Sequence, residues 1–267
     1  MTAGAATDWA GVTHGRTTAP ARIACLVPSL TELLFALGLG PQVVARTGFC
    51  VHPWPAVRQV RKIGGTKDPD LERLRALAPT HLVVNIDENR REVVDAARAF
   101  LPHVIVTHPL IPADNLRLFA LFAAIFGRES EAADLAADFA AASAEAQAVT
   151  ARLPRERVLY LIWKSPWMTV SRDTYVAATL AAAGMDVVAA IATQRYPVLE
   201  ADEPAWREAD RILLSTEPYA FRESDRRALE EHTGKSVALL EGEWTSWYGA
   251  RAAPGLRALA RWRLNST

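Results

Sequence analysis

Apolar positions fall into short runs and amphipathic stretches that alternate along the chain. Residues 22–28, RIACLVP, form a brief apolar run closed by Pro28, and SLTELLFALGLG follows with helical spacing, Ser29 and Glu32 standing three apart as in a capping box. This predicts a strand and then a helix that Gly38 and Gly40 end, after which residues 43–46 resume an extended run. LERLRALAP predicts a helix ended by Pro79, HLVVNI a buried strand, ENRREVVDAARAF an amphipathic helix and HVIVTHP a further strand. Strands alternating with helices at this spacing predict a mostly parallel sheet covered by helices, with ligand chemistry at the carboxyl ends of the strands. Those ends are residues 28–29, 47–53, 85–89 and 107–112. Residues 47–69 hold six Gly or Pro, long for a connection inside a compact domain, which points to a functional loop.

Residues 128–153 contain neither Gly nor Pro and are dominated by Ala, Glu, Asp and Leu, which predicts one long helix reaching on the order of 35 to 40 Å. Beyond it the alternation restarts with RVLYLIW, MTVSRD, a helix over 174–183, an apolar run near Val187, a helix over 204–209, RILLST, a helix over 224–232, SVALLEG and a terminal helix over 254–263. The expected fold class is α/β, two lobes joined by one long helix. Its divisions are an N-terminal extension of flexible chain at 1–21, a first lobe at 22–127, the connecting helix at 128–153 and a second lobe at 154–267. The alternative is that the helix is a crossover within a single α/β domain.

Composition narrows the function. Thirty basic and thirty acidic residues cancel without a long single-sign block, so no footprint for a phosphate backbone is read and nucleic acid is not expected as a partner. The longest apolar runs, residues 118–126 and 187–192, fall short of the roughly 20 residues needed to cross a bilayer. Residues 1–21 lack a basic start followed by an apolar core, so no secretory signal is read there. The two cysteines, Cys25 and Cys50, fit either buried free thiols or one disulfide.

Enzyme signatures are weak. GGTKDP lacks P-loop spacing, and neither G-x-S-x-G nor G-x-G-x-x-G occurs. The six histidines stand singly, without the spacing of a structural zinc site. His52, in the long loop, and His108, just after a strand, are the two that could offer an imidazole to a metal already held by a macrocycle; the alternative for each is an ordinary polar loop histidine. Ser29 sits at a strand end, where capping the first helix is its expected task. Eight tryptophans are present, and Trp54, Trp163, Trp167, Trp244 and Trp247 fall in predicted loops with Tyr196, Tyr219 and Tyr248 close in sequence. Flat rings at loop tips suit a large flat ligand, and equally suit packing inside the lobes.

RIACLVPSLTELLFALGLGPQVVARTGFCVHP, followed by IGGTKDPDLERLRALAPTHLVV, resembles the opening lobe of the class III periplasmic binding proteins, the receptors of ABC importers for vitamin B12, iron siderophores and haem. The P-S-x-T-E segment at 28–32, the glycine pair before an acidic-led helix and an A-x-P before the next strand recur in that order, and the similarity runs from Arg22 to the C-terminal helix. The resemblance implies two α/β lobes on one helix, a ligand held between them, and binding without catalysis. The ending EGEWTSWYGARAAPG resembles the vitamin B12 receptors most. By position it assigns ligand contacts to Phe49, Cys50, Trp167, Tyr196, Pro197, Trp247, Tyr248 and Arg251, and permease-docking carboxylates to Glu72, Asp202 and Glu203. For those acids the alternative is favourable charge at a helix N-terminus.

The expected ligand is cobalamin or another corrinoid, with no cofactor required and no side chain needed on cobalt. A ferric siderophore or haem is the alternative: Arg195, Arg222, Arg251 and Lys164 suit the first, and a Tyr or His ligand the second. An α/β enzyme acting on a small polar substrate would draw on Asp87, Glu88, Glu217, Glu241 or Glu243. A monomer serving an ABC permease is implied. A periplasmic location follows from the resemblance, while the leader at 1–21 leaves a cytoplasmic relative open.

Overall fold

A computed structural model describes residues 5–188 and 194–266, which form two α/β units. Unit 1 comprises the chain up to residue 109 with 113–137 and 248–250, and unit 2 comprises 110–112, 138–247 and the chain from 251 onward. Most of the apolar run expected at 187–192 lies outside the described residues.

From residue 5 on, the segment expected as a flexible extension is instead anchored to unit 1. Strands β1 (Ala6–Thr7) and β2 (Thr13–His14) make an antiparallel ribbon. Asp8 is buried at its turn, where its carboxylate accepts from the N–H groups of Ala10, Val12 and Val106 at 2.9, 2.9 and 3.0 Å and lies 3.0 Å from His14 Nε2. Four polar partners satisfy a carboxylate that would otherwise be costly to bury. Outside this turn, Arg117 lies over the Trp9 ring at 3.9 Å.

The rest of unit 1 follows the alternation read from the sequence, except for an edge strand at 61–62 and a helix at 114–126 that were not anticipated. Strand β3 (Ile23–Cys25) leads into helix α1 (Pro28–Ala36), then come β4 (Val43–Arg46), β5 (Arg61–Lys62), α2 (Leu71–Ala76), β6 (His81–Asn85), α3 (Arg91–Arg98), β7 (His103–Thr107) and α4 (Asp114–Phe126). The strands pair in parallel in the order β5-β4-β3-β6-β7. Every residue of β3 and β6 is buried, as expected of central strands covered on both faces. Leu26, Leu74, Leu82, Val84 and Val104 share one core cluster, each worth about 1.5–3 kcal/mol when fully buried.

Ser29 does not cap α1. Proline occupies the first helical position, where its fixed φ suits the helix and its missing N–H costs nothing, so the helix begins two residues earlier than a Ser29 cap would set it and carries Ser29 and Glu32 inside it.

Helix α5 (Glu129–Thr150) is the long helix anticipated at 128–153 and is shared between the units, with its residues up to 137 in the first and from 138 in the second. Its 22 residues span about 33 Å. Ala132, Phe139, Ala142 and Ala146 are its buried positions.

Unit 2 continues with β8 (Glu156–Trp163), β9 (Met168–Thr169), α6 (Tyr175–Ala182), β10 (Met185–Val187), α7 (Ala205–Glu208), β11 (Arg211–Ser215), α8 (Glu223–Thr233), β12 (Ser236–Leu240), α9 (Glu243–Ser246) and α10 (Ala252–Asn265). The order β10-β8-β11-β12 is parallel, and β9 folds back antiparallel on β8. Tyr160 is buried in this sheet, and its hydroxyl meets Ser215 Oγ at 2.9 Å and Thr245 Oγ1 at 2.7 Å.

Candidate functional site

In unit 1 the carboxyl ends of β3, β4, β6 and β7 bring together loops that begin near residues 26, 47, 86 and 108. The turn after β4 is built around Arg46, only 3% exposed, whose Nε donates to the Val57 carbonyl at 2.8 Å and whose Nη1 donates to those of Thr47 and Cys50 at 3.1 and 2.9 Å. This fixes the loop and sends alternate side chains in opposite directions. Cys50, expected to face ligand, points inward; its sulfur lies 3.1 Å from Thr31 Oγ1 and 3.2 Å from Thr47 Oγ1. Phe49 points outward and is 64% exposed.

Both cysteines are free and buried, and burial pushes both thiols up, away from the reactive thiolate. We expect no reaction with a thiol reagent in the native protein and two equivalents released on denaturation. Rapid native modification of either would contradict this placement.

Past β6, Asn85 Oδ1 accepts from the Asp87 N–H at 2.8 Å and Asn89 Oδ1 accepts from the Asn85 N–H at 2.9 Å, which orders residues 85–89 and leaves Ile86 half exposed. Asp87 and His108 approach to 3.4 Å. Tyr248 reaches the same edge, and its hydroxyl donates to Glu88 Oε1 at 2.5 Å. Burial, then the Glu88 carboxylate, hold this phenol well above its ordinary range, so it stays a neutral donor. Gly249 follows at φ +85° with its N–H 2.7 Å from Asn115 Oδ1, and a Cβ there would approach Leu33 Cβ to 3.1 Å. Residues 248–250 therefore act as an inserted peg that completes unit 1.

In unit 2, Trp163 at the end of β8 is 40% exposed and meets Tyr219 edge-on at 5.4 Å. Trp167 is stacked on Phe221 at 6.0 Å and meets Trp206 edge-on at 5.9 Å, so most of its ring belongs to the core. Tyr196 is 39% exposed, whereas Pro197 is buried and its carbonyl accepts from the Thr169 N–H at 3.1 Å. Trp247 is 8% exposed; its Nε1 donates to Glu217 Oε1 at 2.7 Å, the oxygen that also accepts from Ser246 Oγ at 2.6 Å. Burial is the main cause that raises the Glu217 carboxyl, against these two hydrogen bonds that lower it. Arg251 lies 5.3 Å over the Trp247 ring and pairs with Glu243 at 2.7 Å.

The sequence-assigned contacts thus divide. Phe49 and Tyr196 present surface, Cys50, Pro197, Trp247 and Tyr248 are buried, and Trp167 and Arg251 are intermediate. His52 is half-buried in the loop after β4. Glu72 is exposed in the first turn of α2, and Asp202 and Glu203 lie just before α7, exposed and half-buried. Among the described residues no group of three or more His, Cys, Asp or Glu is placed to hold a metal ion, and no helix is long and apolar enough to cross a membrane.

Residues 23–238 match the family model described as periplasmic binding protein. The chain belongs to that family. A vitamin B12-binding protein of Pectobacterium atrosepticum is 26% identical to it over 208 residues, 73% of this chain and 71% of that protein. Among solved structures, the fold is similar to that of the periplasmic vitamin B12 binding protein of Vibrio cholerae, with a TM-score of 0.77 and 18% identity over 91% of this chain and 97% of that one. It is comparably similar to a periplasmic heme-binding protein from Roseiflexus sp. RS-1 in apo form, with a TM-score of 0.75 and 20% identity over 93% and 99%. Members of this family are transport receptors, not enzymes; they act in the periplasm and deliver a small ligand to an ABC importer.

Sequence reasoning missed the Tyr248–Glu88 hydrogen bond and the arginine inside the β4 turn. For the arginine a signal existed: residues 33–67 contain five basic residues and no acid.

Proposed function

We propose that the ligand is a metal-bearing tetrapyrrole, a corrinoid or haem. The observation that carries this is the exposed aromatic surface at strand ends in each unit: Phe49 after β4, Trp163 at the end of β8 and Tyr196 in a following loop. Single exposed rings are unremarkable on a protein surface, but several rings near the carboxyl ends of parallel strands, where ligands bind in open α/β sheets, favour a large planar partner through stacking and desolvation.

Two observations bear on which tetrapyrrole. The relationship over 208 residues to a vitamin B12-binding protein favours a corrinoid. His52 and Tyr196, side chains able to bind iron and lying on the same loops as the exposed rings, favour haem. Glu72, Asp202 and Glu203 are the proposed carboxylates for arginines of the permease.

Calorimetric and absorbance titration with haemin and with cyanocobalamin tests the reading. Saturable binding of one of them, with quenching of tryptophan fluorescence, is the expected result. Iron ligation would shift the haemin spectrum and be lost in His52→Ala or Tyr196→Phe, whereas a corrinoid would bind both variants unchanged. Binding of neither, together with saturable binding of a ferric siderophore, would overturn the tetrapyrrole proposal.

A further inference from the structure

An open cavity of about 760 Å³ lies wholly within unit 1, between the loop after β4 and the edge strand β5. Its lining includes Arg46, Arg58, Arg61 and Lys62, and no acidic residue. Four cations around one cavity repel one another, and surface basic groups are ordinarily interspersed with acids. Among the described residues none of these four has a carboxylate within ion-pair distance, although the chain as a whole has as many acids as bases.

Arg46 is the informative member. A guanidinium that is 3% exposed without an anionic partner is costly, and its three carbonyl acceptors satisfy only Nε and Nη1. Its remaining nitrogen, Nη2, makes no hydrogen bond among the described residues and keeps some access to solvent, so it is the nitrogen left to donate in the cavity. Arg58 is held with its guanidinium 4.7 Å over the Trp54 ring, which orders an exposed side chain at the mouth of the cavity. Arg61 and Lys62 are exposed on the edge strand beside it. The backbone of β4 and β5 is paired through Ala45 with Arg61 and Arg46 with Lys62, so three of the four charges share one rigid ladder.

We propose that this cavity binds a multiply charged oxyanion, a phosphate or a polycarboxylate group. Arginine forks match the geometry of such groups and donate in pairs. The anion could be part of the transported molecule or a separate solute, and the inference stands whether or not the tetrapyrrole reading holds.

The test is calorimetric titration of the unliganded protein with inorganic pyrophosphate, in the wild type and in an Arg58→Gln/Arg61→Gln double variant. Both side chains are exposed, so the variant should fold; Arg46 is left intact because it ties three carbonyls of the loop. Saturable binding that weakens at least tenfold in the double variant, and falls as ionic strength rises, is expected. Repeating the titration in the presence of haemin or cyanocobalamin separates the sources: competition places the anion on the transported ligand, and simultaneous binding makes it a separate solute. No saturable binding of pyrophosphate by the wild type, or equal binding by the double variant, would overturn the proposal.

Discussion

Trp247→Ala is expected to lower the stability of the ligand-free protein by about 3–4 kcal/mol, the usual cost of emptying a buried tryptophan site. The ring is only 8% exposed, lies under Arg251 and donates its Nε1 proton to Glu217. Removing it leaves a cavity and takes one of two donors from an already half-buried carboxylate. A loop tryptophan at a ligand edge would ordinarily be expected to affect affinity and leave stability alone, and its burial reverses that expectation. The informative contrast is Phe49→Ala. That ring is 64% exposed, so its loss should change stability by no more than about 0.5 kcal/mol. Ligand affinity should nevertheless fall tenfold or more if the ring stacks on ligand. Urea unfolding of both variants decides the matter: equal stability of Trp247→Ala and wild type would place the indole outside the core.

Acid sensitivity supplies the second large effect. His81 is 6% exposed at the start of β6, with its ring stacked 4.7 Å from His103 and its Nδ1 2.8 Å from Thr80 Oγ1. Burial first, then the proximity of His103 and His14, lower its pKa from 6.5 to about 4. The Phe126 ring packs edge-on against it, and the Asp8 carboxylate is engaged with His14. The unfolded chain therefore binds a proton below pH 6.5 that the folded chain refuses until about pH 4. Stability should fall as pH drops through that window, by roughly 2–3 kcal/mol in total, and be insensitive to this group above it. His81→Phe keeps a ring in the stack and removes the titration, so its stability should vary less between pH 7 and pH 4.5. An unchanged slope would assign the acid sensitivity to other groups.

How far the chain could be read depended on where its information lay. Helix α5 was legible because 26 consecutive residues without Gly or Pro leave few alternatives, and the buried strands β3 and β6 because central parallel strands are apolar on both faces. Strand β5 was not, since an exposed edge strand of one arginine and one lysine carries no hydrophobic period. Cys50 was assigned to the ligand by position in the family resemblance, but matching positions in irregular chain says nothing about side-chain direction, and the Arg46 hydrogen bonds set it. The peg at 248–250 was likewise invisible, because its partners Asn115 and Glu88 lie 134 and 160 residues away. The basic stretch at 33–67 was visible and was masked by a net charge of zero.

Identity of the transported molecule is the point on which the account turns. The most direct measurement is the optical spectrum and small-molecule mass spectrum of the protein isolated from its native host. A corrin or haem absorption band, with the matching cobalt or iron tetrapyrrole released in about one equivalent per chain, is the predicted result. Release of a ferric hydroxamate or catecholate, with neither tetrapyrrole present, would contradict it.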